Sequence, residues 1–229
     1  MKILFATRNL HKLSEVSDAL SSELSVEKLL SLKDFPDAPA FEEMGDSFQE
    51  IAEAKALFYS EWLMKIGEES FYVLAEDAGL EVAILNGFPG IVSNRISRTD
   101  SERISIVLER LSQAQKNDVL LQLDSSLPSS AQIAPGISHP SRSARFVSAM
   151  ALAKDGELVH LVEGQVHGLI TFEPRGTNGF GYDPIFYYPP LKKTFGECLR
   201  AEKVKVSHRT NALRKIIAFL KEEPVRNKS

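Results

Sequence analysis

Two adjacent acids, Glu76-Asp77, follow an apolar run at residues 71–75 and precede Ala78-Gly79. In open α/β sheets ligands gather outside the carboxyl ends of strands, so acids placed there can hold a hard cation or activate a water. Neighbouring strand residues point to opposite faces; one acid can therefore grip a cation while the other serves elsewhere, unless the turn re-aims both. Glu42-Glu43 offers further oxygen ligands from the loop ahead of a helix. Mg2+ suits such a set, because it takes one or two carboxylates and completes its shell with waters and phosphate oxygens.

Groups suited to a polyanion stand nearby in the chain. Thr7-Arg8-Asn9-Leu10-His11-Lys12 lies where a strand ends and a helix begins, where backbone N–H groups and the positive dipole end attract phosphate. It lacks the glycine spacing and the Lys-Ser/Thr pair of a P-loop. Lys55 falls roughly 50° from the mean direction of a stripe formed by Phe48, Ile51, Ala54, Phe58 and Trp62, within an apolar helix face. It reads equally as a snorkelling stem or as a cation aimed inward.

Two segments could recognise a base. PRGTNGFGYDPIF at residues 174–186 sets three glycines and two prolines around Phe180, Gly181, Tyr182 and Asp183. Such a loop is stiff yet lets backbone approach a ligand, an aromatic face can stack a base, and a carboxylate or main-chain group can read its edge. Ser207-His208-Arg209 puts cations into the first turn of a helix, against its dipole. Their donors suit the keto oxygen of a 6-oxopurine, where adenine carries an amino group. Lys203 lies one turn upstream, and Arg175 can be a phosphate contact or a surface charge. Taken singly, each of these residues also fits a plain structural role: an ordinary turn, a solvated strand end, core aromatics, a salt bridge.

The elements that must position them follow from periodicity. Residues 2–7 read as a buried strand, and Leu10, Leu13, Val16, Ala19 and Leu20 recur at helical spacing. Ser47 with Glu50 forms a capping box opening a helix, Thr99 with Glu102 opens another that buries Ile104, Val107, Leu108 and Leu111, and Thr194 with Glu197 opens a short one. Residues 71–75 and 81–85 read as separate strands about the Ala78-Gly79 turn. Asp155-Gly156 between strand-like runs at 146–153 and 158–162 signals a hairpin. From Ser207 a last helix presents Leu213, Ile216, Ile217 and Leu220, with a frayed tail after Pro224. Residues 122–142, rich in Ser and Pro, read as an inserted flexible loop. Together these give an α/β class with a mixed sheet.

Composition narrows the partners. The chain has 229 residues, 43% hydrophobic and 25% charged, ordinary for a soluble domain and long enough to bury a sizeable core in one domain or a two-lobed unit. With a net charge of −4 and scattered Lys and Arg, a nucleic-acid polymer is not expected, whereas a mononucleotide needs only a few cations. Cys198 is the one cysteine, which excludes an intramolecular disulfide and a cysteine-built metal site and fits a reducing compartment. The apolar stretch at residues 3–6 is too short for a signal segment, and no run of 18 apolar residues occurs. The expectation is a cytoplasmic protein without a membrane partner.

Six segments in order carry a resemblance: ATRNLHK at residues 6–12, SFQEIAEAKA at 47–56, AEDAGLEV at 75–82, LNGFPGIVSNR at 85–95, PRGTNGFGYDPIF at 174–186 and EKVKVSHR at 202–209. Together they resemble the inosine triphosphate pyrophosphatase family, over nearly the whole chain. The resemblance implies hydrolysis of non-standard purine nucleoside triphosphates (ITP, dITP, XTP) to monophosphate and pyrophosphate. It implies Asp77 as general base and Mg2+ ligand, with Glu42 as its companion and Glu76 as a possible one. It puts the phosphates on residues 7–12 with help from Lys55, and the base against Phe180, Gly181, Tyr182 and Asp183, with Lys203, His208 and Arg209 closing the site. It further implies an elongated mixed sheet in two α/β lobes around a cleft, and a homodimer; residues 1–222 are expected to form the domain and 223–229 a tail.

The chain departs from the family pattern at three places. Glu76 stands where Asp is commoner, Ala78 where a Ser usually touches substrate, and Ile51 where the capped helix usually carries Asn. The last two each remove a polar contact, worth about 1–3 kcal/mol where buried. They keep a non-catalytic nucleotide-binding protein in view, and the lobed architecture that the resemblance implies keeps a Maf-like nucleotide pyrophosphatase in view beside it.

Overall fold

The computed structural model describes residues 1–24, 26–68, 70–124 and 140–226. Its first strand, β1 (Lys2–Phe5), leads into α1 (Leu10–Glu23), whose N-cap is Asn9; the Asn9 side chain accepts from the backbone N–H groups of His11 and Lys12. β2 (Lys28–Ser31) runs parallel to β1, with Phe5 opposite Ser31. After α2 (Phe48–Lys65) the chain returns as β3 (Phe71–Val82), parallel to β1 on its other side with Phe5 opposite Leu74. Both parallel pairings need a helical crossover, and α1 and α2 supply them.

Past α3 (Asp100–Asp124) come β4 (Ser143–Lys154) and β5 (Glu157–Ile170). Asp155 and Gly156 join them with φ of 51° and 79°, the paired positive φ that a two-residue hairpin turn requires. β6 (Phe186–Tyr188) and β7 (Lys193–Thr194) add antiparallel strands, and α4 (Arg200–Val206) and α5 (His208–Arg226) close the chain. The sheet order is β2-β1-β3-β4-β5-β6-β7, a mixed sheet as expected. No helix of the described residues is long and apolar enough to cross a membrane.

The chain divides into two compact units: Met1–Ala78, Val147–Gln165 and Val204–Ser229 form the first, Gly79–Phe146 and Val166–Lys203 the second. The first buries Ile3, Phe5 and Leu74 of the strands with Val16 and Leu20 of α1 and the 213, 216, 217 and 220 stripe of α5. Each fully buried Leu or Ile contributes about 1.5–3 kcal/mol. In the second, Phe146, Phe186 and Phe195 form a ring cluster with centroids 4.6–6.1 Å apart, and Ile104, Val107 and Leu111 are buried along α3.

Four local expectations are corrected. Residues 71–82 are one strand, not two about a turn. The N–H of Leu80 finds the Ser93 hydroxyl at 3.0 Å and that of Val82 the Phe88 carbonyl at 3.2 Å, so the backbone beyond Gly79 is satisfied without turning. The buried face of α2 is Phe48, Ile51, Ala52, Lys55, Ala56, Tyr59, Ser60 and Leu63. Ala54 is exposed, and Phe58 and Trp62 lie outboard of this face, against Phe41 and Phe35 at 5.4 Å. Thr194 and Glu197 do exchange capping bonds, 2.7 and 3.1 Å, but close a turn rather than a helix, which starts at Arg200. Finally, α5 passes Pro224 to reach Arg226; near a helix end the missing N–H removes a single bond. Of the expected loop at 122–142, α3 takes residues up to Asp124 and a 3-10 turn takes Pro140–Arg142. Residues 125–139 and 227–229 lie outside the described part.

Candidate active site

Within the first unit, strand alternation sends Glu76 and Asp77 of β3 to opposite faces. Glu76 Oε1 accepts from Arg209 Nε at 2.8 Å and from the Ser148 hydroxyl at 2.7 Å, and Lys12 Nζ stands 3.3 Å from Oε2. Burial alone would raise the Glu76 pKa; Arg209 and Lys12 outweigh it and hold the carboxyl well below the usual range. Arg209 also pairs with Glu15 of α1. Burial pulls its guanidinium down, and the two carboxylates more than restore it, so both partners stay charged. His208, next to it in the first turn of α5, is buried too.

Asp77 has different surroundings. It is 4% exposed, and its Oδ2 has no hydrogen-bond partner among the described residues. Burial raises its pKa; Lys12 and Lys55 work against this, Glu43 and Glu76 with it, and the net result is about 6. Lys55 sits within the buried face of α2, 9% exposed, with Nζ 2.5 Å from Glu43 Oε1, 3.5 Å from the Glu76 carbonyl oxygen and 5.7 Å from the Phe41 ring centroid. Its stem thus lies in the buried face of α2 and its ammonium is held by these acceptors.

Among the described residues no group of three or more Asp, Glu, His or Cys could hold a metal ion. Glu42 is exposed, Glu43 is the loop acid whose charge acts on Asp77, and Glu76 is engaged by Arg209, Ser148 and Lys12. The donor set still fits a hard cation in a reduced form: one buried carboxylate oxygen without a partner among the described residues, for a cation that takes phosphate and water for the remainder.

At the 7–12 turn the backbone donors are partly spent. The N–H groups of His11 and Lys12 go to Asn9 Oδ1 at 2.9 and 3.3 Å, and that of Asn9 goes to Thr7 Oγ1 at 3.1 Å. Arg8 reaches the Ala38 carbonyl at 3.0 Å and braces the following loop. Leu10 and His11 are exposed. Lys12 carries this turn's charge toward the acidic strand. Ala78 is half-buried, and Ile51 is fully buried in the apolar face of α2, so the family's Asn is replaced by core packing.

The second unit holds the 172–184 loop. Gly176 and Gly179 have φ of 76° and 77°, and a Cβ would fall on the Gly196 carbonyl at the first and on the Asp183 carboxylate at the second. Only glycine meets both conditions. Asp183, 2% exposed, accepts from the Phe180 N–H at 2.9 Å and from Lys203 Nζ at 2.6 Å, and that ammonium lies 4.8 Å from the Phe180 ring centroid. Tyr182 is buried, and its hydroxyl donates to the Ser93 carbonyl at 2.8 Å. Burial pushes its pKa up, a neutral phenol serving as a fixed donor. Phe180 is half-buried, the more accessible of the two rings.

Four contributors escaped the sequence reading: Glu15, Ser148, Ser93 and Asp100. Glu15 and Ser148 left a legible trace, a carboxylate beside the apolar stripe of α1 and a hydroxyl inside an apolar strand. The roles of Ser93 and Asp100 depend on contacts 89 and 81 residues away in the chain.

Comparison with known proteins adds identity to this geometry. The Ham1 family profile matches residues 3–219. A dITP/XTP pyrophosphatase of Exiguobacterium sibiricum is 39% identical over 220 residues, covering 96% of this chain and 97% of that protein. The structure of a HAM1 protein from Coxiella burnetii superposes with a TM-score of 0.75 at 33% identity, covering 97% of this chain and 99% of the other. The crystal structure of a nucleoside-triphosphatase and dITP/XTP pyrophosphatase from Mycobacterium abscessus gives 0.64 at 37% identity, with 94% and 98% covered.

Proposed function

The chain belongs to the Ham1 family, and from that premise we propose that it hydrolyses the non-standard purine nucleoside triphosphates ITP, dITP and XTP to the monophosphate and pyrophosphate. The observation that carries this reading is Asp77: a buried carboxylate with an oxygen lacking a partner among the described residues, flanked by the charges of Lys12 and Lys55, with a pKa of about 6. A carboxylate that is ionised at neutral pH and keeps an open oxygen can accept a proton there.

In this proposal Asp77 would hold Mg2+, with Glu42 as the companion the resemblance implies and Glu43 as the loop acid whose charge reaches Asp77. The bound ion would supply charge neutralisation to the triphosphate. Lys12 and Lys55 bind the phosphates. Asp77 orients a water and accepts its proton as the water oxygen bonds to the α-phosphorus; the α–β bridging bond breaks and pyrophosphate leaves with the electron pair. Glu76, Arg209 and Glu15 keep Lys12 and β3 in register through buried ion pairs. Phe180 stacks the base, with main-chain groups of residues 180–183 and the donors of His208 and Lys203 reading its keto edge. Adenine leaves such donors unpaired, which disfavours ATP. The resemblance extends the proposal to a cytoplasmic homodimer.

A panel of nucleoside triphosphates with and without Mg2+, read as pyrophosphate release, tests the substrate class. ITP, dITP and XTP should exceed ATP and dTTP by at least about 10²-fold in kcat/KM. Preference for dTTP or UTP would overturn the reading.

A further inference from the structure

The 172–184 loop is tied to its surroundings by several contacts, Asp183–Lys203 and Tyr182–Ser93 among them, and two more, at its tip and its root, lead to one helix. At the tip, Asp100, on the first turn of α3, accepts the Gly181 N–H on Oδ2 at 2.7 Å while Arg103 secures its Oδ1 at 2.8 Å. Gly181 has a φ of 62°, and it lies between Phe180 and Tyr182, so a bond to its N–H fixes the peptide that carries the Phe180 ring.

At the root, Arg142 is 3% exposed and faces neutral acceptors: the carbonyls of Ile170 and Thr171 and the Gln115 side chain, each at 2.7 Å. The Phe172 ring covers it at 3.9 Å. A buried cation is costly to desolvate, and burial draws its pKa down to about 10. Its fork closes the backbone just where the loop leaves β5, and the Thr171 N–H bonds the Ile185 carbonyl at 2.9 Å where the loop returns. Gln115 stands on α3, as does Asp100. One helix therefore backs both ends of the loop.

We infer that Asp100 and Arg142 are positioning residues for nucleobase recognition, holding the tip and the root of the 172–184 loop so that Phe180 meets the base in one place. The inference rests on the reading that this loop binds the base. Neither side chain needs to touch the nucleotide. Their effect belongs in KM and in the preference for ITP over ATP, not in the chemical step.

Steady-state kinetics on the full-length enzyme with Mg2+ test this, using ITP and ATP as substrates and inorganic triphosphate as a competitor that has no base. For Asp100→Ala the KM for ITP should rise about 10-fold, the ITP-to-ATP preference should narrow, and kcat should stay within about 2-fold, the size expected for a lost charge-assisted bond. The Ki of inorganic triphosphate should not move. Asp100→Asn keeps an acceptor oxygen and should recover most of the loss; Arg142→Lys should shift KM in the same direction. Equal weakening of ITP and inorganic triphosphate by Asp100→Ala would overturn the inference, because it would mark a general structural defect. An unchanged KM for ITP in Asp100→Ala would overturn it too, provided Phe180→Ala raises that KM. If Phe180→Ala leaves KM unchanged, the base reading fails first, and the inference with it.

Discussion

At the scale of single residues, the two acids of β3 show how position overrides type. Glu76 and Asp77 are neighbours, both buried, yet one is held far below and the other well above its ordinary pKa. The difference is the balance at each: at Glu76 the charges of Arg209 and Lys12 outweigh burial, whereas at Asp77 burial, with Glu43 and Glu76, outweighs Lys12 and Lys55. Asp77 has a stability consequence. Its folded pKa of about 6 exceeds the reference 3.8, so the folded protein binds the proton more tightly than the unfolded chain does. Stability is therefore full below about pH 4 and declines as pH rises through 6. Above that, the ionised side chain costs roughly 2–3 kcal/mol in the metal-free protein. Asp77→Asn should remove this cost, raising the Tm of the metal-free protein at pH 7.5 by several degrees while abolishing turnover, with no gain at pH 4. Thermal melts at both pH values check it; a destabilised variant at pH 7.5 would refute the burial argument.

At the scale of elements, Lys55 depends on how α2 begins. The Ser47 hydroxyl accepts the Glu50 N–H at 3.2 Å, while the Glu50 carboxylate accepts from Asp46 rather than from Ser47. Ser47→Ala should cost about 1 kcal/mol of stability in a urea titration. Capping boxes, apolar stripes and the Asp-Gly hairpin were legible because each is a bond or a period contained within a few residues. The helix starts at 48 and 100 and the 155–156 turn all follow. The Thr194 box was legible as a bond pattern but not as a helix, because the backbone after it never continues the turn. Ala78-Gly79 looked like a break since glycine usually weakens a strand; partners supplied by Ser93 and Phe88 hold it extended. Lys55 was readable from helical geometry even though the assumed stripe was displaced. The Asp183–Lys203 pair and the Arg209 cluster were not, since the sequence shows donors and acids without saying which will neutralise each other.

At the scale of the whole molecule, a chain of net charge −4 concentrates its few functional cations where buried acids can organise them. Lys12, Lys55, Lys203 and Arg209 each have a carboxylate partner in the structure. A triphosphate bound as proposed would therefore compete with internal acids for Lys12 and Lys55. The proposed homodimer should sediment at twice the chain mass of 25.4 kDa; a single-chain mass at micromolar concentration would exclude it. The central claim is that water activated at Asp77 attacks the α-phosphorus of a non-standard purine triphosphate. Hydrolysis of ITP with Mg2+ in 18O-labelled water, followed by mass spectrometry of the products, tests it most directly. Label confined to the monophosphate, and no labelled product from Asp77→Asn, is the expected result. Label in pyrophosphate or inorganic phosphate, or undiminished turnover by Asp77→Asn, would contradict it.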